Sequence, residues 1–91
     1  MTAPGHVFVV EGAASSQLPL RLLGFFAQQD LLPATICMTR STSGLAMRIV
    51  EATLDEHRAG VILAKMQALP DVASALLTES QGASCLIGED G

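Results

Sequence analysis

The sequence predicts an α+β fold, one four-stranded antiparallel sheet carrying two helices on a single face. Three observations predict it. Short apolar or alternating runs occur at residues 6–11, 34–40, 45–53 and 71–78, as strands require. Between them, residues 17–29 and 56–69 repeat their apolar positions every three to four residues, as amphipathic helices do. Gly, Pro, Ser and Asp punctuate the gaps.

Each element has a local reason. His6 to Glu11 is a β-branched run between Gly5 and Gly12, apolar enough for a central strand. Gly12 to Ser16 reads as a loop with two possible N-caps, Ser15 and Ser16, and Ser16 followed by Pro19 near the first turn is a fair helix start. Leu18, Leu22, Phe25 and Phe26 then share one helical face, and Pro33 bars continuation. From Ala34 to Arg40, Ile36 and Met38 alternate with Thr35, Cys37 and Thr39, the pattern of a half-buried strand. Ser41 to Gly44 supplies a hairpin loop, after which Leu45, Met47 and Ile49 alternate with Ala46, Arg48 and Val50. Thr53-Leu54-Asp55-Glu56 contains a capping box, with Asp55 equally able to cap. Ala59, Ile62, Leu63, Met66 and Leu69 line the second helix, which Pro70 ends. Asp71 to Thr78 reads as a strand; its Ala and Leu content leaves a helix as the alternative. The order β-α-β-β-α-β with right-handed crossovers gives a ferredoxin-like sandwich over residues 5–78. Residues 79–91 read as a mobile tail, with Cys85-Leu86-Ile87 too short to count as a strand.

Composition narrows the function. The 91 residues are 49% hydrophobic with three aromatics, all Phe, so Leu, Val, Ile, Ala and Met must fill the core. A chain this short buries about 60% of its unfolded surface. Charged residues are 15%, against a usual value of about 25%. Both points favour pairing with another chain, and the open sheet face carrying Ala46, Val50 and Ala52 is one surface a dimer would cover. The net charge of −4 and five scattered basic residues disfavour nucleic acid. No apolar run approaches the roughly 18 residues of a membrane span, and Met1 to Gly5 lacks a signal-peptide pattern. Cys37 and Cys85 lack CxxC spacing and read as reduced thiols of a cytoplasmic protein.

Catalytic groups do not converge in the sequence. His6 and His57 have no companions at metal-ligand spacing, so no metal or cofactor is expected. Asp55-Glu56 reads as an ordinary acidic first turn, and Ser15-Ser16 lacks an activating base. An acylphosphatase-like enzyme would need a phosphate-cradling loop that Gly12 to Arg21 does not supply. The start of the first helix could receive a carboxylate; the simpler reading is a short connection.

Arg21-Leu22-Leu23-Gly24-Phe25-Phe26-Ala27-Gln28-Gln29-Asp30-Leu31 is similar to the first helix of ACT domains, R-V-L-G-L-F-A-R-R-G-L. Ala64 to Val72 resembles the Q-L-x-K-L-x-D-V run of acetolactate synthase small subunits, and Met47 to Glu51 resembles their third strand. The resemblance covers roughly residues 6–78 and implies a non-enzymatic regulatory subunit. Such subunits bind and activate a thiamine-diphosphate-dependent catalytic subunit in branched-chain amino-acid biosynthesis. It also implies a side-by-side homodimer with an amino-acid effector at the interface. Carried across, the effector residues are Ser15, Ser16, Gln17 and Leu18, faced by Leu32, Pro33 and Ala34 of the neighbour. The family's Pro-Gly is Ser16-Gln17 here and its Asn is Leu32, so weak or absent feedback is expected. A free-standing homodimer sensing a small ligand is the alternative.

Overall fold

In the computed structural model, which describes residues 6–79, the chain runs β1 (His6–Gly12), α1 (Gln17–Gln28), β2 (Thr35–Ser41), β3 (Gly44–Glu51), α2 (Glu56–Gln67) and β4 (Val72–Glu79). The strands form one antiparallel sheet in the order β2-β3-β1-β4. This is the predicted sandwich, and the last segment is a strand rather than a helix. The tail expected from residue 79 lies, from residue 80 onward, outside the described residues.

The helices bury one face of that sheet. Phe8 and Val10 of β1, Leu45, Met47 and Ile49 of β3 and Ala75 of β4 form one cluster with Leu18, Leu22, Phe26, Ala59, Ile62 and Met66. Phe8 and Phe26 meet edge to face, ring centres 5.2 Å apart. A bulge where β1 and β4 shift register at Glu11/Gly12 skips Ala73. The extra residue inverts the alternation of β4, so Val72 packs on the core side with Ala75 and Leu77.

Both helix ends differ in detail from the sequence reading. Ser16 already has helical dihedrals and its side chain caps nothing; the Ser15 hydroxyl accepts from the Gln17 N–H at 3.2 Å instead. Between the two caps weighed for α2, Asp55 is the one used, accepting from the Arg58 N–H at 2.7 Å. α1 closes at Gln28, well before Pro33. Asp30 takes a left-handed φ of 60°, its N–H bonds the Ala27 carbonyl, and the Leu31 N–H bonds the Phe26 carbonyl. Those paired bonds make a Schellman cap, with Leu31 packed onto the core. Arg58 then ties the two helices together through the carbonyl and side-chain oxygens of Gln29, at 3.2 and 3.1 Å.

The alternation read in β2 holds, but its apolar side is not buried. Ile36 and Met38 lie opposite Ile49 and Met47 and so face the helix side, yet remain 40% and 50% exposed. The helix layer stops short of this outer strand. Leu32, just before it, is 87% exposed.

Candidate functional site

The loop between β1 and α1 is drawn tightly against the turn leading into β4. The Ala13 N–H donates to the Asp71 carbonyl at 2.8 Å. A Cβ on Gly12 would lie 2.3 Å from that same carbonyl oxygen, so only glycine permits the approach. Gly44, at φ 150°, passes equally close to the Gly12 carbonyl. The two glycines let the β1–α1 loop, the β2–β3 hairpin and the α2–β4 turn meet at one end of the sheet.

Two shallow clefts open at that end. One, of about 230 Å³, is lined by Ser15, Gln17, Arg21, Leu69, Pro70 and Asp71. Arg21 stands one turn into α1 and Asp71 across from it, giving the cleft one charge of each sign beside the start of the helix. The other, of about 240 Å³, lies at the hairpin beside Glu11, Ser41, Ser43 and Ala73.

The residues assigned to effector binding do not all meet within one chain. Ser15 and Gln17 line the first cleft, and Ser16 is exposed at its margin. Leu18 turns into the core, where it is buried against Phe26 and its neighbours. Leu32, Pro33 and Ala34 follow α1 at its other end, about 18 Å away by the length of a 12-residue helix. Ala34 serves the sheet there, its N–H donating to the Val50 carbonyl at 2.7 Å.

Three residues that the sequence reading did not place matter here. Arg21 was visible as a basic residue in the first turns of α1, but its cleft exists only once the α2–β4 turn folds beside it. Glu51 continues the inward series Leu45, Met47, Ile49, and this periodicity could have marked it. It is 3% exposed, its Oε2 accepts from the Thr53 hydroxyl at 2.6 Å and the Thr53 N–H at 3.2 Å, and its Oε1 has no hydrogen-bond partner among the described residues. Cys37 corrects an expectation outright: it is disulfide-bonded, not a reduced thiol. The spacing of the cysteines carries no motif, so only the fold could bring such a bond about. Among the described residues no three His, Cys, Asp or Glu stand close enough to hold a metal ion, and no helix is long and apolar enough to cross a membrane.

This arrangement is a βαββαβ sandwich with a shallow cleft at its β1–α1 loop, and it defines a domain of the ACT/ferredoxin-like fold. The chain belongs to the ACT-like domain family, whose model matches residues 5–84. Domains of this family generally regulate through small ligands and often dimerise. The fold is similar to the ACT domain of GTP pyrophosphokinase from Chlorobium tepidum, at 11% identity and a TM-score of 0.62, covering 86% of this chain and 100% of that one. It is also similar to the C-terminal domain of the MgtC protein from Mycobacterium tuberculosis, at 13% identity and a TM-score of 0.64, covering 91% and 93%. Identities this low show a common fold and nothing of function. No curated protein matches the sequence.

Proposed function

We propose that this chain is a non-catalytic regulatory module that acts by pairing with other polypeptides. The observation that carries the reading is the apolar rim along β2. Ile36 and Met38 stand about half exposed on an outer strand of the sheet, and Leu32, just before that strand, is almost fully exposed. Apolar side chains grouped on an outer strand favour association with a second chain. A two-fold axis beside β2 would set the sheets of two copies side by side, with opposite ends adjacent. Leu32, Pro33 and Ala34 of one copy would then stand at the end of the sheet that holds the clefts of the other. This is the arrangement the family resemblance implies for an effector site.

The finer reading is that the partner is the catalytic subunit of an acetolactate synthase, which this chain binds and activates. Its support is the likeness of Arg21 to Leu31 and Ala64 to Val72 to the small subunits of that enzyme. The test mixes the purified chain with a thiamine-diphosphate-dependent acetolactate synthase catalytic subunit from the same genome. Co-elution and faster acetolactate formation are expected. Separate elution with an unchanged rate rejects this partner.

A second reading, a free-standing homodimer that senses an amino acid, is favoured by the charges of the 230 Å³ cleft. Arg21 and the start of α1 suit a ligand carboxylate, and Asp71 suits its ammonium group. Titration calorimetry of the chain alone with valine, isoleucine and leucine separates the two readings. Saturable heat that disappears in Arg21→Ala supports the sensor; no heat at millimolar ligand supports the partner-activating subunit.

A further inference from the structure

β4 is one of the two outer strands of the sheet, so half of its backbone groups face away from β1. Two independent bonds fix which half. Gln67 Nε2, reaching across from α2, donates to the Ala75 carbonyl at 3.0 Å, so that carbonyl points outward. At the other side of the sheet, the Val50 carbonyl accepts from the Ala34 N–H and therefore faces β2. Alternation from Val50 turns Met47 toward β1 and its opposite residue Val10 toward β3. Ala75, opposite Val10, is again left facing outward, and so is Leu77. Leu76, between them, bonds back to β1.

Beyond the bulge at its start, nothing in the strand guards this edge. Residues 72–78 contain no charge and no proline, the usual deterrents to strand addition. Leu76 lies beside Val9 on the face opposite the helices and is 51% exposed. On the helix side a cleft of about 230 Å³ runs along the edge, lined by Gln67 and residues 72–75.

We propose that β4 pairs antiparallel with β4 of a second copy of this chain, across a two-fold axis at Leu76. This register uses both outward residues of each copy. Ala75 meets Leu77 of the second copy and Leu77 meets its Ala75, each pair exchanging both backbone hydrogen bonds. The Ala75 carbonyl has two lone pairs and can keep Gln67 as well. Leu76 then faces Leu76 of the second copy in a non-hydrogen-bonded pair, where side chains stand closest, and each covers the exposed surface of the other. Ser74 falls opposite Thr78, and on the helix side the small Ala75 leaves the cleft open to the incoming Leu77. An axis at Ala75 would run the pairing into the bulge at Ala73, and one at Leu77 would set each Leu76 against Thr78. The strand thus matches itself: leucine meets leucine at the axis, and identical uncharged strands meet without repulsion. The contact lies at the opposite edge from the β2 rim and goes beyond the function proposed for that rim.

The test uses the full chain carrying Met38→Lys, which places a charge on the β2 rim so that any remaining association comes from elsewhere. Sedimentation is expected to show a dimer. Adding Leu76→Lys sets two like charges at the axis and is expected to weaken the dimer at least about tenfold. Adding Leu76→Cys instead is expected to give a disulfide-linked dimer on oxidation, because Cα atoms about 4.5 Å apart across the axis suit the bond. Ser74→Cys, whose copies stand about 14 Å apart along the strands, is expected not to link. Mass spectrometry locates the links, and circular dichroism confirms that every variant is folded. A monomeric Met38→Lys chain overturns the proposal, as does a dimer that Leu76→Lys leaves unchanged. Equal linking at positions 74 and 76 overturns it as well.

Discussion

Replacing Phe26 by Ala tests how the helix layer is held to the sheet. Phe26 is fully buried, projects from the apolar face of α1 in its last turn, and meets Phe8 of β1 edge to face with the ring planes at 90°. Truncating a buried Phe to Ala costs about 3–5 kcal/mol, from lost transfer energy together with the cavity left behind. The aromatic pair accounts for about 0.5–1.5 kcal/mol of that. A domain of this size has a total stability of about 5–14 kcal/mol, so the substitution removes a large fraction of it and threatens folding outright. Phe26→Leu, which keeps most of the volume, should cost about 1–2 kcal/mol by the same reasoning. Urea unfolding followed by circular dichroism reads both, with a slope near 1 kcal/mol per molar for a chain this small. The expected order is a midpoint lowered by about 1–2 M for Leu and by about 3 M or complete loss of the transition for Ala. A cycle combining Phe26→Leu with Phe8→Leu should show coupling of about 0.5–1.5 kcal/mol. A cooperative Phe26→Ala transition less than about 1 M below the wild type would refute this account of the core.

Further substitutions probe the ends of α1 and the loop beside the cleft. Ser15→Ala should lower stability by about 0.5–1 kcal/mol while Ser16→Ala stays within about 0.5 kcal/mol, because the Ser15 hydroxyl meets the Gln17 N–H and Ser16 caps nothing; thermal melts distinguish them. Asp30→Gly should raise the melting temperature by about 4–8 °C, equivalent to about 1 kcal/mol, since a non-glycine residue at φ 60° is strained and glycine is not. Gly12→Ala should destabilise by more than about 1 kcal/mol, because the new methyl meets the Asp71 backbone oxygen and the loop must shift. If Gly12→Ala melts with the wild type, the close approach of loop and turn is not what holds that end of the sheet.

The six elements were legible in the residues because each is governed by short-range physics. Period two in Leu45, Met47 and Ile49, period 3.6 in Leu18, Leu22 and Phe26, and the turn residues between them act over a few positions. The cap at Ser15 was displaced by one residue because hydroxyls at Ser15 and Ser16 are equivalent in sequence and differ only in backbone dihedral. Less of the candidate site could be read. Ser15 and Gln17 were named from the family resemblance, but Arg21 and Asp71, some 50 positions apart, become neighbours only through the crossover that packs α2 and β4 beside β1.

Periodicity alone settled which side chains share a face, and with it the sandwich. It could not say which faces stay covered, because burial is a property of layers and not of strands. Ile36 and Met38 alternate like core residues yet remain exposed, since the helices stop short of β2. Val7 and Cys37 point away from the helices yet are buried, and a disulfide closes on Cys37. Only the tertiary arrangement decides such cases, because they depend on distances between segments that the order of residues leaves open.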